Sequence, residues 1–171
     1  ATSGTVTGLA NENIGLSFSG DADDAWGASG TTITGTVVST GGTCSDTSYN
    51  STLTIKNNKD TKATLSFNYA IEQNSGTIKV DGTAVTAGSS FSKELAAGDT
   101  IKIYIKSGST TATKITMTNV ALVSDVTATT TFVPAENGTY TVDGKTVTEE
   151  YSNTQSSMTA YQVVATPADG Y

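Results

Sequence analysis

Three aspartates in one short glycine-flanked loop are the residues of this chain best suited to chemistry. Asp21, Asp23 and Asp24 lie in the segment GDADDAWGASG, and carboxylate oxygens are the hard ligands that Ca²⁺ prefers. The spacing lacks the full D-x-D-x-D-G-x5-E pattern of an EF-hand loop. The more ordinary interpretation is a solvated acidic loop, with a structural calcium ion at these three residues as the alternative.

Aromatic side chains form the second group of candidates, because an exposed ring can stack on the apolar face of a sugar. Trp26 is the only tryptophan, and filling a protein core is the favoured alternative for so large a side chain. Tyr49, Tyr69 and Tyr104 are the tyrosines that would complete an aromatic platform. Tyr69 is in phase with the apolar residues of its segment, which indicates a core position. Tyr104 is out of phase with the isoleucines of its own segment, which indicates an exposed position. We therefore predict ligand contacts from Trp26, Tyr104 and Tyr49.

The usual catalytic side chains are scarce. The chain has no histidine and a single cysteine, Cys44, which excludes Ser-His-Asp, Cys-His and zinc-histidine sites within it. Cys44 is interpreted as a small buried hydrophobe. The acid pairs Glu149–Glu150 and Glu94–Asp99 match glycoside hydrolysis only in residue type. The sequence therefore predicts a protein that is not an enzyme.

Charge and hydropathy narrow the classes of partner. Nine basic and 16 acidic residues give a net charge of −7, and every basic residue is a lysine. Nucleic-acid recognition relies on arginine forks and clustered positive charge, so we expect no nucleic-acid partner. No apolar run approaches the roughly 18 residues of a membrane-spanning helix. We therefore expect no membrane insertion.

Alternation at a period of two organises the chain. In residues 95–106, LAAGDTIKIYIK, isoleucines alternate with lysine, tyrosine and lysine, which is typical of a half-buried β-strand. About eight such strands occupy residues 14–124, with turn signals between them. Residues 1–13 are predicted to be a poorly ordered lead-in, and residues 20–30 a loop. The sequence thus predicts an all-β fold, with an antiparallel, jelly-roll-like β-sandwich in residues 1–125.

Two turns and one irregularity are predicted in detail. Asp81-Gly82 and Asp143-Gly144 each join two short apolar runs, and this dipeptide favours the type I′ turn of a two-residue hairpin. The apolar phase slips near Asn119, which indicates a β-bulge or a bend. These features predict antiparallel neighbours along the sequence.

Residues 126–171 are predicted to form a small β-rich segment after the sandwich. A threonine-rich strand is expected from Val126 to Val133 and another from Met158 to Ala165, with the polar sequence NTQSS between them. About 45 residues are few for an independent core. We expect a truncated, repeat-like module whose remainder lies outside this sequence.

The segments FVPAENGTYTVDGKTV and YQVVATPADGY resemble repeat modules of large Gram-positive surface proteins, including divergent relatives of the internalin B repeat. Those repeats typically read T-x-Asn-Gly-(G)-T-y-x-V-d-G and later A-x-P-a-x-G-Y, before an aromatic F-x-G-W. The matching positions are Asn137-Gly138, Val142-Asp143-Gly144 and residues 165–171. The resemblance implies a repeat module that would continue into the aromatic motif.

Residues 52–82, 91–108 and 114–123 resemble β-sandwich modules of multidomain surface proteins in gut Firmicutes, some of which lie beside glycoside-active domains. The resemblance implies an extracellular setting, on the surface or secreted, but no particular ligand. We expect neighbouring domains of the same polypeptide, a glycan, or a host or cell-wall surface as partners. We therefore expect a non-catalytic structural or adhesive spacer. A carbohydrate-binding module is the alternative, and no cofactor other than the calcium ion is expected.

Overall fold

The structure, a computed structural model, describes residues 2–39, 49–124, 127–155 and 160–170. These residues form β-strands and no helix, and the strands pair in antiparallel fashion. The chain divides into a first compact unit that ends at Ser124 and a second that comprises the rest. The predicted all-β class is confirmed.

The first unit is a β-sandwich. Its described residues contain eleven strands: β1 (Thr2–Thr5), β2 (Ile14–Gly20), β3 (Trp26–Ser29), β4 (Thr32–Val37), β5 (Tyr49–Asn57), β6 (Ala63–Glu72), β7 (Thr77–Val80), β8 (Thr83–Ala84), β9 (Ser89–Leu95), β10 (Thr100–Ser107) and β11 (Thr113–Ser124). They form a six-stranded sheet in the order β1–β2–β5–β10–β7–β8 and a five-stranded sheet in the order β3–β4–β11–β6–β9. Residues from both sheets share one hydrophobic core, so the sheets pack face to face.

The strand order is that of a jelly roll. Strands β4 to β11 pair first with last in a nested series, β4 with β11, β5 with β10, β6 with β9 and β7 with β8. These pairs alternate between the two sheets, as they do when one long antiparallel ribbon wraps around a core. Strands β1, β2 and β3 extend the sheets at their edges. The predicted jelly-roll-like sandwich is therefore confirmed.

Strand β10 shows how the alternating sequence forms the core. Ile101, Ile103 and Ile105 are at most 1% exposed, whereas Lys102 and Tyr104 lie on the opposite face of the sheet. Each buried isoleucine stabilises the fold by about 1.5–3 kcal/mol relative to an exposed one. Because β10 lies between β5 and β7, its outward residues lie inside the sheet rather than at an edge.

The predicted turn at Asp81-Gly82 is present. The φ angles of these residues are 49° and 80°, as a type I′ turn requires. The amide of Val85 donates to the carbonyl of Ile78 at 3.0 Å, which is the expected register. Asp143 and Gly144 have φ angles of 49° and 81° and form the same turn in the second unit.

The predicted irregularity near Asn119 is a β-bulge in β11. Asn119 has a φ of 52°, and the register with β6 shifts between Thr118 and Ala121. Met117 before the bulge and Val120 after it are both buried. The bulge therefore returns the strand to the core after its apolar phase changes.

Two predictions for the first 30 residues, the poorly ordered lead-in and the loop, are wrong. The predicted lead-in contains β1, which pairs with β2, and the predicted loop 20–30 contains β3. Both strands consist mostly of small residues, so they lack the periodic apolar pattern that identifies a strand. Their backbone pairing and close approach stabilise them instead, since a Cβ on Gly4 would lie 2.9 Å from the Phe18 ring.

The second unit has a small aromatic core. Its described strands are β12 (Ala128–Phe132), β13 (Gly138–Val142), β14 (Lys145–Thr146), β15 (Tyr151–Gln155) and β16 (Val163–Pro167). Strand β12 pairs with β15, and β13 lies between β14 and β16. The buried residues Phe132, Val142 and Val147 pack with three tyrosines. The small predicted β-rich segment therefore forms two short sheets around these side chains.

Strand β15 includes the start of the polar sequence NTQSS, where the sequence predicts no strand. Its hydroxyl groups bond to those of β12, with 2.8 Å between the Oγ1 atoms of Thr129 and Thr154 and 2.8 Å between Thr131 Oγ1 and Ser152 Oγ. Such cross-strand pairs stabilise a strand without an apolar pattern. The strand predicted to begin at Met158 begins at Val163, and Met158 and Val126 lie outside the described residues.

Candidate functional site

The acidic loop directs its carboxylates to solvent. Its two alanines are buried in the core, whereas Asp21, Asp23 and Asp24 are exposed. Asp21 Oδ2 accepts a hydrogen bond from Asn50 Nδ2 at 3.1 Å. In the described part of the chain, no three Asp, Glu, His or Cys side chains are grouped as a metal site requires. A calcium ion in this loop stays a prediction, and binding it would require the three carboxylates to reorient.

Trp26 connects the two sheets of the sandwich. It begins β3 and is half-buried, and its indole Nε1 donates to Ser51 Oγ, on β5 of the opposite sheet, at 2.9 Å. Its ring covers Gly35 so closely that a Cβ there would lie 2.4 Å from a ring carbon. The Ser51 hydroxyl in turn donates to the Ser19 carbonyl at 3.4 Å. Trp26 is therefore held by packing and by a hydrogen bond that joins the sheets.

The four aromatic residues considered as ligand contacts do not share one surface. Tyr49 is half-buried and, like Trp26, packs against the core of the sandwich. Tyr69 also packs there, with its ring centroid 6.2 Å from that of Phe67. Tyr104 instead lies on the outward face of the six-stranded sheet, opposite the buried isoleucines of β10. Of the predicted ligand-contacting residues, only Tyr104 lies on that face.

Tyr104 lines an open concavity of about 470 Å³ on this outward face. The lining residues are Thr52, Thr77, Lys79, Gly82, Lys102, Tyr104 and Lys106. Thr52 of β5 and Lys79 of β7 are the direct cross-strand partners of Tyr104. Lys79 Nζ lies 5.8 Å from the centroid of the Tyr104 ring, within reach of a cation–π interaction.

Lysines dominate the charge of this sheet. The strands of the six-stranded sheet contain no Asp or Glu and four lysines, Lys56, Lys79, Lys102 and Lys106. None of the four lies within 4.0 Å of a described carboxylate. Three other lysines do form ion pairs: Lys62 with Glu94 (3.1 Å), Lys93 with Asp81 (2.7 Å) and Lys114 with Glu72 (3.7 Å). The positive charge of the outward face is therefore available to a ligand.

The acid pairs considered for hydrolysis have structural partners or lie on the surface. Glu94 pairs with Lys62, and Asp99 Oδ2 accepts a hydrogen bond from the backbone amide of Ala96 at 3.2 Å. Glu149 and its neighbour Glu150 are exposed.

A second concavity, about 460 Å³, lies in the second unit and is lined mostly by apolar groups around Tyr140 and β16.

Sequence reasoning missed the lysines as a set. The alternation of Lys102, Tyr104 and Lys106 along β10 was visible and could have identified two of them. Lys79 is far away in sequence, and only the pairing of β7 with β10 brings it beside Tyr104. That pairing is non-local, so no short-range pattern indicates it.

The chain matches no protein-family model, no curated protein and no solved structure. None of the described residues forms a helix long and apolar enough to cross a membrane.

Proposed function

We propose that this chain is a non-catalytic extracellular module of a bacterial surface or secreted multidomain protein, and that it acts as a structural and adhesive spacer. The observation that best supports this proposal is the structural role of Trp26. Its indole joins the two sheets through Ser51 at 2.9 Å and packs against the core, so the largest side chain of the protein stabilises the sandwich. The resemblance to Gram-positive surface modules supports the extracellular setting, with neighbouring domains and a host or cell-wall surface as partners.

Incubation of the full chain with a panel of polysaccharides, mucin glycans and cell-wall material tests this proposal. We expect no release of reducing ends, and we expect Trp26→Phe to leave any binding unchanged while it lowers the melting temperature. Turnover of any polysaccharide would overturn the non-catalytic assignment. Loss of binding in a variant that is still folded would show that Trp26 contacts a ligand.

Calcium is tested in the same samples. A structural ion bound by Asp21, Asp23 and Asp24 would raise the melting temperature on addition of Ca²⁺ and lower it with a chelator, because ligands that bind only the folded state stabilise it. Asp23→Asn with Asp24→Asn should abolish that response. An unchanged melting temperature in all conditions would contradict the calcium site.

Carbohydrate binding is a second candidate function, and the position of Tyr104 favours it. Its ring lines the concavity of the outward face, together with threonine hydroxyls that can donate to and accept from sugar hydroxyls. Tyr104→Ala should weaken binding to a recognised glycan, whereas Trp26→Phe should not. Equal effects of the two substitutions would contradict a site centred on Tyr104.

A further inference from the structure

The outward face of the six-stranded sheet is positive although the whole chain has a net charge of −7. Its strands supply Lys56, Lys79, Lys102 and Lys106 and no acidic residue. The five-stranded sheet differs, since its Lys114 pairs with Glu72 and its Glu94 pairs with Lys62, which directly precedes β6. The lysines of the outward face of the six-stranded sheet thus have no described carboxylate partner and are available to a ligand.

Two described carboxylates that adjoin the strands of this sheet are engaged by other groups. Asp81, in the turn after β7, binds Lys93 at 2.7 Å, and Asp21 accepts the amide of Asn50 at 3.1 Å. Charges beyond about 8–10 Å are screened at physiological salt. The local lysines therefore decide the interaction more than the net charge does.

The spacing of the lysines suits an extended ligand with repeated charges. Lys102, Tyr104 and Lys106 alternate on β10, so neighbouring side chains in this series lie about 7 Å apart. Lys79 lies across from Tyr104 on the adjacent strand, about 5 Å away. The positive groups thus surround one aromatic ring on three sides.

The lining between the lysines is neutral and hydroxylated. Thr52 is the partner of Tyr104 on the other side, and Thr77 is the partner of Lys106. A flat ring, hydroxyl groups and ammonium groups are together complementary to sugar rings that carry acidic substituents. A purely electrostatic site would not require the ring.

We propose that the outward face of the six-stranded sheet binds an acidic polysaccharide, a glycan chain that carries carboxylate or sulfate groups. The inference rests on the carbohydrate-binding candidate above and adds the charge of the ligand. Lys79, Lys102 and Lys106 contact the acidic groups, and Tyr104 packs on a sugar ring between them. The face lacks arginine, which favours this ligand over a nucleic-acid strand.

Binding of the full chain to immobilised heparin (sulfated), hyaluronate (carboxylated) and dextran (neutral) tests the proposal. The test variant is Lys79→Gln/Lys102→Gln/Lys106→Gln, and the control is Lys62→Gln/Lys114→Gln/Lys145→Gln, which changes the net charge equally but removes lysines outside this face. Exposed ion pairs contribute little to stability, so both variants should fold. Their circular dichroism spectra verify this.

We expect binding to heparin, hyaluronate or both, and none to dextran. The test variant should bind about tenfold more weakly or worse, and the control should bind as the wild type does. Tyr104→Ala should weaken binding roughly tenfold, whereas Tyr104→Phe should retain it. Binding should also weaken as salt rises from about 50 to about 300 mM.

Four outcomes would overturn the proposal. Absence of binding to both acidic glycans at low salt rejects it, and so does an equal loss in the test and control variants. If dextran binds as tightly as the acidic glycans, and binds the test variant as tightly as the wild type, the acidic ligand is rejected but carbohydrate binding is retained. Binding of poly-L-glutamate or single-stranded DNA as tightly as heparin, with the same lysine dependence, would show a general polyanion surface and reject the assignment to a glycan.

Discussion

The two units of the chain use the same kind of strand but differ in how much they bury. Among the described residues, the sandwich has a core of 21 buried hydrophobic residues, whereas the second unit has three, Phe132, Val142 and Val147. In the second unit the Phe132 ring lies 5.2 Å from that of Tyr151 and 5.1 Å from that of Tyr161. One side chain therefore organises most of that core.

This difference shows what two packed sheets add to a β-strand. In the sandwich the buried side chains of both sheets form one large cluster, so the loss of one leaves many contacts intact. In the second unit the strand β16 is exposed along its whole length, and Val163 and Val164 are 55% and 53% exposed. Its stability therefore depends on a few aromatic contacts and on backbone pairing.

The largest predicted effect comes from Phe132→Ala. A buried Phe→Ala change costs about 3–5 kcal/mol, which is about as much as a core of this size supplies. We expect the second unit to unfold while the sandwich stays folded. Loss of part of the far-ultraviolet circular dichroism, with unchanged Trp26 fluorescence, would show this, because the only tryptophan lies in the first unit.

Ile103→Ala is the matched change in the sandwich. Ile103 is completely buried, and its truncation costs about 2–5 kcal/mol. We expect the denaturant midpoint of Trp26 fluorescence to fall while both units stay folded in buffer. In NMR spectra of the Phe132→Ala protein, native-like chemical-shift dispersion for tyrosines 140, 151 and 161 would contradict the proposed difference between the units.

Trp26→Phe has the next largest effect, and it acts on the sandwich alone. The change removes the donor to Ser51 Oγ, and a buried acceptor left without its donor costs about 1–3 kcal/mol. We expect a lower unfolding midpoint by circular dichroism for the first unit and no change for the second. A cycle with Ser51→Ala separates the hydrogen bond from packing, since the double variant should lose less than the sum of the single ones.

Sequence patterns predicted the parts of this fold that depend on short-range order. The isoleucines of β10, the two Asp-Gly turns and the bulge at Asn119 follow from alternation and turn chemistry. Strands β1 and β15 escaped prediction because backbone pairing and hydroxyl contacts hold them. Of the candidate site, the position of Tyr104 on the outward face followed from its phase, whereas the position of Lys79 depended on a non-local strand pairing.

The smallest effects are expected in the two Asp-Gly turns, which have nearly identical backbones in the two units. Alanine is strained at a φ of 49°, so Asp81→Ala and Asp143→Ala should each cost about 1 kcal/mol. Asp143 also loses more, since its Oδ1 accepts the backbone amide of Gln162 at 2.9 Å and a hydrogen bond adds about 1 kcal/mol. Asp81 loses only an exposed ion pair with Lys93.

Unfolding followed by Trp26 fluorescence for Asp81→Ala, and by the tyrosine signals of the second unit for Asp143→Ala, measures these losses. Asparagine tolerates positive φ and retains an acceptor oxygen, so Asp143→Asn should recover most of the stability that alanine removes. Equal losses for the two alanine variants would mean that the Asp143–Gln162 hydrogen bond contributes nothing. The second unit would then owe its stability to the Phe132 cluster and to the pairing of its strands.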